Sequence, residues 1–140
     1  MGYKSIFVLE VNFIFLKVLY YIPVMDDDLL IKSKTVCKNP DAIVNLYDYC
    51  VVWISDGLLK NLEYSSENVV GKSILNLFFG SSNSAVRKFL IKILSLTSMV
   101  KEITATTKSK KKLVIKAKFF NFKHEGTPFL VAKVLDYPKE

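Results

Sequence analysis

A chain of 140 residues with 51% apolar side chains is the length of one domain with one core, able to bury roughly two-thirds of the surface that its unfolded form exposes. Its two cysteines, Cys37 and Cys50, are separated by twelve residues; they form no metal-type pair and fit reduced cytosolic thiols better than a disulfide scaffold. The net charge of +7 rests on lysine, since Arg87 is the one arginine. Lysines that keep an apolar domain soluble account for it better than phosphate or guanine recognition, which favours the arginine fork.

Residues 1–24 are nearly all apolar, broken by Glu10, Asn12 and Lys17. The length suits a membrane span, but a central Glu or Lys costs about 2.5 to 3.5 kcal/mol on insertion scales. No small-residue cleavage site supports a secretory signal. Glu10 and Lys17 stand one heptad apart and share a stripe on a helix, leaving a broad apolar face for a sheet or for a second copy of the chain. Three readings stay open for this segment: a flanking helix, a membrane-associated stretch, or an upstream extension ahead of a native start at Met25.

Residues 25–39 place Asp26, Asp27 and Asp28 first, Leu29, Leu30, Ile31 and Val36 in the body, and Lys32, Lys34 and Lys38 towards the end. Acid before base matches the helix dipole, so a flanking helix is expected, stopped by Pro40. Ala42 to Leu46 reads as a strand and Val51 to Ile54 as its hairpin partner, with Asp48 and Tyr49 in a turn that lacks glycine. Between Leu58 and Phe78 two short helices are expected. Leu58, Leu59 and Leu62 form one apolar stripe, Ser65 or Ser66 caps the next turn, Gly71 makes a left-handed stop, and Ile74, Leu77 and Phe78 form a second cluster.

A loop at Gly80 to Ser84 leads into the clearest helix, Ala85 to Leu96. Val86, Phe89, Leu90, Ile93 and Leu94 hold i, i+3, i+4, i+7, i+8 spacing there, while Arg87, Lys88 and Lys92 point elsewhere. Three antiparallel strands follow, Met99 to Thr107, Lys112 to Phe122 and Pro128 to Asp136, separated by turns at Lys108 to Lys111 and at His-Glu-Gly-Thr. The order β-β-α-α-α-β-β-β defines an α+β domain: a five-stranded antiparallel sheet with helices packed on one face and a flanking N-terminal helix.

The run from Tyr64 through Ser65, Glu67, Val70, Gly71, Lys72 and Ser73 to Ile74 resembles the signature of the PAS domain family. Glu63 stands where that family carries glycine before the tyrosine, and Ser55 or Asp56 stands at its usual asparagine. The resemblance runs from about Pro40 to Tyr137 and divides the chain into an apolar segment (1–24), a flanking helix (25–39), a PAS-like domain (40–137) and a tail (138–140). It implies a stand-alone sensory or protein-interaction module of signal transduction or transcription regulation, acting by ligand or partner binding, without enzyme activity. Asp136 with Tyr137 resembles the Asp-Ile-Thr exit that joins such domains to an output helix.

Alternation places Leu113, Ile115, Ala117 and Phe119 on the face of one strand that meets the helices, and Lys112, Lys116 and Lys118 on the other. Extending the family register adds Ile103 and Ala105, then Leu130, Ala132 and Val134, to the inner face. Three inward alanines result. They either make room for Phe78, Phe89 and Ile93 from the helices, the close packing that interiors normally reach, or leave a pocket. Such a pocket would also draw on Leu58, Leu62 and Ile74, and would take an apolar, lipid-like or aromatic molecule.

Cofactors of the family can be judged by position. The reactive cysteine of its flavin light sensors corresponds to Ile74, and the polar residues that hold the flavin correspond to Ala105 and Ile115. No histidine for haem lies on the helix Ala85 to Leu96, and His124 reads as a surface residue in a turn. No metal site and no catalytic constellation emerges, as no phosphate loop or second histidine is present and Asp26 to Asp28 cap a helix.

The alternative is a small basic nucleic-acid binder using Lys108, Lys110, Lys111, Lys112, Lys116 and Lys118; it lacks arginine and interleaved aromatics near the turn. On the outer face Val114, Phe120, Phe122, Phe129, Val131 and Leu135 form an apolar patch that calls for a partner. Residues 6–24, or Leu29, Leu30 and Val36, are its expected cover, within the chain or across a homodimer. The expected setting is the cytoplasm, with membrane association possible only through residues 1–24.

Overall fold

The computed structural model describes residues 27–80 and 84–138. The readings for residues 1–24 lie outside them. Helix α1 spans Asp27–Val36 and is followed by strands β1 (Ala42–Asn45) and β2 (Val51–Ile54), then helix α2 (Asp56–Leu62). A single 3₁₀ turn at Ser66–Asn68 and a wide π turn at Leu75–Phe79 precede helix α3 (Ser84–Ile93). Strands β3 (Ser98–Thr106), β4 (Lys112–His124) and β5 (Thr127–Asp136) complete the chain. They form one five-stranded antiparallel sheet in the order β2-β1-β5-β4-β3.

The glycine-free turn between β1 and β2 closes because Asn45 and Asp48 act as local acceptors. The Asn45 side chain accepts from the Tyr47 N–H at 2.7 Å and the Asp48 carboxylate from the Cys50 N–H at 2.9 Å. Tyr49 takes the left-handed conformation (φ 63°) that glycine would otherwise supply. Glu63 does the same at the end of α2 (φ 69°), the position at which the family resemblance expects glycine.

The Leu58 to Phe78 stretch differs from two capped helices. Ser55 caps α2, its hydroxyl accepting from the Leu58 N–H at 3.2 Å. Ser65 makes no side-chain cap, so backbone bonds alone hold the 3₁₀ turn. Gly71 does turn the chain left-handed (φ 86°), and its N–H donates to the Val51 carbonyl at 2.8 Å. The docked segment then runs beside the start of β2, Ile74 N–H reaching the Tyr49 carbonyl at 2.9 Å. This pairing widens the following turn into π form rather than the expected helix.

Two apolar clusters lie on opposite faces of the sheet. Helices α2 and α3 and the π turn bury the inner face, including Ile115, Ala117, Phe119 and Leu130. Helix α1 buries the other, Leu29 and Cys37 meeting Ile43, Phe129 and Val131 with Leu30, Phe120 and Phe122 at the rim. The outer apolar patch is therefore covered in part from within the chain, by Leu29 and Leu30; Val36 remains exposed.

Two residues depart from their expected places. Leu94 is 48% exposed because α3 ends at Ile93. The side-chain amide of Asn121 stops that helix, donating to the carbonyls of Ile93, Leu94 and Leu96 at 3.1, 3.2 and 3.3 Å. His124 is no surface turn residue but the last residue of β4, 5% exposed, its ring 6.4 Å from that of Phe129. The turn is shorter than expected, with Glu125 (φ 52°) and Gly126 (φ 83°) both left-handed as a two-residue hairpin demands.

Candidate functional site

Between the helices and the inner sheet face lies a cavity of about 80 Å³ whose wall is wholly apolar. The expected close packing is thus incomplete. Its floor is built by strand alternation: Ala105 and Ile103 from β3, Ile115, Ala117 and Phe119 from β4, and Leu130, Ala132 and Val134 from β5. Leu58 and Leu62 come from α2, Ile74 and Phe78 from the segment around the π turn, and Phe89 from α3.

Ile93 is fully buried (0% exposed) but does not reach the cavity wall. Sequence reasoning missed Ala42, Val44, Val51 and Ile54 of the first hairpin, and Phe79, Val86 and Leu90. Alternation in β1 pointed to Ala42 and Val44, whereas Val51 and Ile54, three residues apart, both face inward through the register shift between β1 and β2; nothing in the sequence signalled Phe79, whose inward turn follows from the π geometry.

The void has a packing reason. Three strand positions carry alanine, and the rings opposite cannot sink onto them: Phe89 is held edge-on against Phe119 at 4.8 Å, and Phe78 against Tyr64 at 5.6 Å and Phe79 at 6.1 Å. At roughly 24 cal/mol per Å³, an empty cavity of this size costs about 2 kcal/mol, which a fitting molecule would recover. Ile74, Ala105 and Ile115, the positions judged for flavin chemistry, all present hydrocarbon to it.

Two polar devices tie the walls together. Asp41, just before β1, accepts from the Ser55 hydroxyl at 2.9 Å and from the Val134 N–H at 2.8 Å, joining the start of α2 to the end of β5. Tyr137 follows that strand, packs against the inner cluster, and has its phenol pushed above its ordinary value by burial and then by the Asp41 charge. At the other end of α2, the Glu63 carboxylate accepts from both the N–H (3.1 Å) and the hydroxyl of Ser109 in the β3–β4 turn. These bonds, the hydroxyl first, hold Glu63 below the usual carboxylate range. Lys108 N–H adds a bond to the Leu62 carbonyl at 3.1 Å.

Both cysteines are free, with thiols pushed up mainly by burial, so neither is an activated nucleophile. Among the described residues no group of His, Cys, Asp and Glu is placed to hold a metal ion, and no helix is long and apolar enough to cross a membrane.

A five-stranded antiparallel sheet with helices over an apolar cavity defines a class of small α+β domain. Residues 40–135 match the PAS domain family, and the chain belongs to it. PAS domains are generally sensory modules of signalling proteins rather than catalysts, and commonly bind ligands or partners.

Among solved structures, the PAS domain of a protein from Desulfitobacterium hafniense aligns with a TM-score of 0.59 at 19% identity, over 71% of this chain and 94% of that one. The PAS-B domain of Drosophila melanogaster Cycle, with ethylene glycol bound, gives 0.58 at 10% identity over 67% and 95%. A LOV protein of Rhodobacter sphaeroides gives 0.57 at 14% identity over 79% and 69%. At these identities the likeness is one of fold. No curated protein matches the chain.

Proposed function

We propose that this chain senses by binding a small apolar molecule in the inner cavity and passes the result to a signalling or transcription partner, or to a second copy of itself. Residues 40–137 are the sensing domain and residues 25–39 the flanking element whose packing responds. The observation that carries this reading is a cavity of about 80 Å³ with no polar wall. Apolar cavities stay dry and take apolar guests: one of about 150 Å³ holds benzene, so roughly half that volume suits a smaller guest, and a single ring or a lipid chain requires some opening. A carboxylate or sugar would lose its hydration there without a partner.

Signal transfer follows from connections the ligand would load. Val134 and Leu58 line the cavity, and the bonds of Asp41 run from the strand of one to the cap of the other, one residue from the start of β1 and beside the exit from α1. A guest that shifts α2 or β5 biases this junction between two packings. The free Cys37 and Cys50 suit the cytoplasm.

Native mass spectrometry of the purified chain tests the reading: a retained apolar molecule, or a rise in melting temperature on adding small apolar compounds, is expected. Ala105→Leu and Ala117→Leu should abolish either signal while the protein stays folded. Neither a retained mass nor any compound-dependent shift would leave the cavity a packing defect.

A further inference from the structure

The turn between β3 and β4 sets an exposed serine, Ser109, among four exposed lysines, Lys108, Lys110, Lys111 and Lys112. The turn is closed from within: the Thr107 N–H donates to the Lys111 carbonyl at 2.9 Å, and the Lys111 N–H to the Thr107 hydroxyl at 3.1 Å. Thr107 is thereby used up in the turn and only 4% exposed, which leaves Ser109 as the hydroxyl at its tip.

Among the described residues two serine hydroxyls meet a carboxylate. That of Ser55, on Asp41, is half-buried and also caps α2. That of Ser109, on Glu63, lies at the surface and joins the turn to the end of α2. Glu63 accepts the Ser109 N–H as well, and the nearby Lys111 ammonium favours its charge. Behind this latch the Lys108 N–H holds the carbonyl of Leu62, a cavity-lining residue. The latch needs a donor at Ser109. A phosphoryl group in place of the hydroxyl proton puts a charge of about −2 against the Glu63 carboxylate and draws Lys111 to itself, so attraction becomes repulsion.

We propose that Ser109 is a phosphorylation site, modified by a serine kinase that recognises basic sequence, and that its phosphate releases the β3–β4 turn from the end of α2. The donor is the kinase's nucleoside triphosphate. The bond from Ser109 Oγ to the γ-phosphorus forms as that phosphorus parts from the β–γ bridging oxygen; the nucleoside diphosphate leaves with the electron pair, and the hydroxyl proton passes to the kinase's carboxylate base. Four flanking lysines suit an acidic substrate cleft, and an exposed turn tip is the part of a folded chain that can enter one. This goes beyond the sensing reading and requires no guest in the cavity.

The test incubates the full chain with ATP, magnesium and the catalytic fragment of protein kinase C as a probe kinase for basic sequences. Peptide mass spectrometry should find phosphate on Ser109; Ser109→Ala should lose that uptake and Ser95→Ala, at an exposed serine after α3, should keep it. Amide exchange at Lys108 and Ser109 should quicken by about tenfold on phosphorylation, the order that one close pair of like charges produces at a surface, and by less at high salt. The increment should shrink in Glu63→Gln, where the opposing charge is gone. Ser109→Asp should quicken the same amides without any kinase. Absence of phosphate from Ser109, undiminished uptake in Ser109→Ala, or phosphorylation of Ser109 with unaltered exchange at Lys108 would overturn the proposal. None of these readouts reports a cavity guest, so their failure and the failure of the sensing reading stay distinct.

Discussion

The inner face of the sheet sets small residues beneath large ones, whereas the outer face does the reverse. Inside, Ala105, Ala117 and Ala132 lie under Phe78 and Phe89, and a void remains among them. Outside, Phe120, Phe122 and Phe129 supply the bulk and α1 contributes little beyond Leu29, Leu30 and Cys37. The difference lies in what can move. A lone helix settles onto a bulky sheet until contact is made, but α2 is tied to the strands by Asp41 and Glu63, α3 by Asn121 and the start of the π turn by the Ile74 N–H on the Tyr49 carbonyl, which holds them off the alanines.

The largest expected effect lies in the fixed layer. Phe89→Ala removes a buried ring packed on Phe119 and should cost about 3 to 5 kcal/mol in denaturant unfolding, or prevent folding. If α1 is as integral to the outer face as its burial indicates, Leu29→Ala, at a side chain 3% exposed, should cost about 2 to 3 kcal/mol. Ile31→Ala on the same helix, exposed to solvent, should stay within about 0.5 kcal/mol. Equal small effects would mean that α1 is dispensable and that the two faces differ more than argued. Gly71→Val should cost about 1 to 2 kcal/mol, because φ is 86° there; unchanged thermal unfolding would contradict it.

A subtler contrast comes from adding volume. Ala117→Val in a filled core would cost about 1 to 3 kcal/mol through overpacking. Facing the cavity, it should change stability by less than about 1 kcal/mol while reducing any bound guest seen by mass spectrometry.

The smallest effect is that of the surface clasp. The Ser109 bonds depress the folded-state value of the Glu63 carboxyl below its ordinary 4.5. A depressed carboxylate contributes stability above the unfolded value and loses it as pH falls through the folded one. Ser109→Ala should therefore lower neutral stability slightly and flatten the fall on the acid side, the two proteins converging as pH drops well below about 4.5. An identical profile would show the clasp to be energetically silent.

How far these features were legible follows from which of them are periodic. Alternation in β4 gave Ile115, Ala117 and Phe119 the inner face and Lys116 and Lys118 the outer one, and the register agrees. The Tyr64 to Ile74 run and the left-handed Gly71 held, and even the missing glycine at Glu63 marked a left-handed residue. Local rules failed where a neighbour competes for the same group. Ser65 does not cap, the π turn replaces a helix because its start is bonded to β2, and Leu94 is outside because Asn121 ends α3 one residue before it. The expected four-residue turn shrinks to Glu125 and Gly126, both left-handed, which leaves His124 at the end of β4.

The residues alone determined the order of the strands, the long helix α3 and the inward face of β4 with Ala117, because periods of 2 and 3.6 are properties of the backbone, while the family register added Ala105 and Ala132. Whether those alanines were filled or left a cavity depended on how far rings from three separate elements could descend, a distance set by bonds between residues far apart in the chain. The same holds for the outer face. Its phenylalanines and lysines were visible in order, but which lay under α1 and which stood open followed from strand order and from the path between Val36 and Ala42.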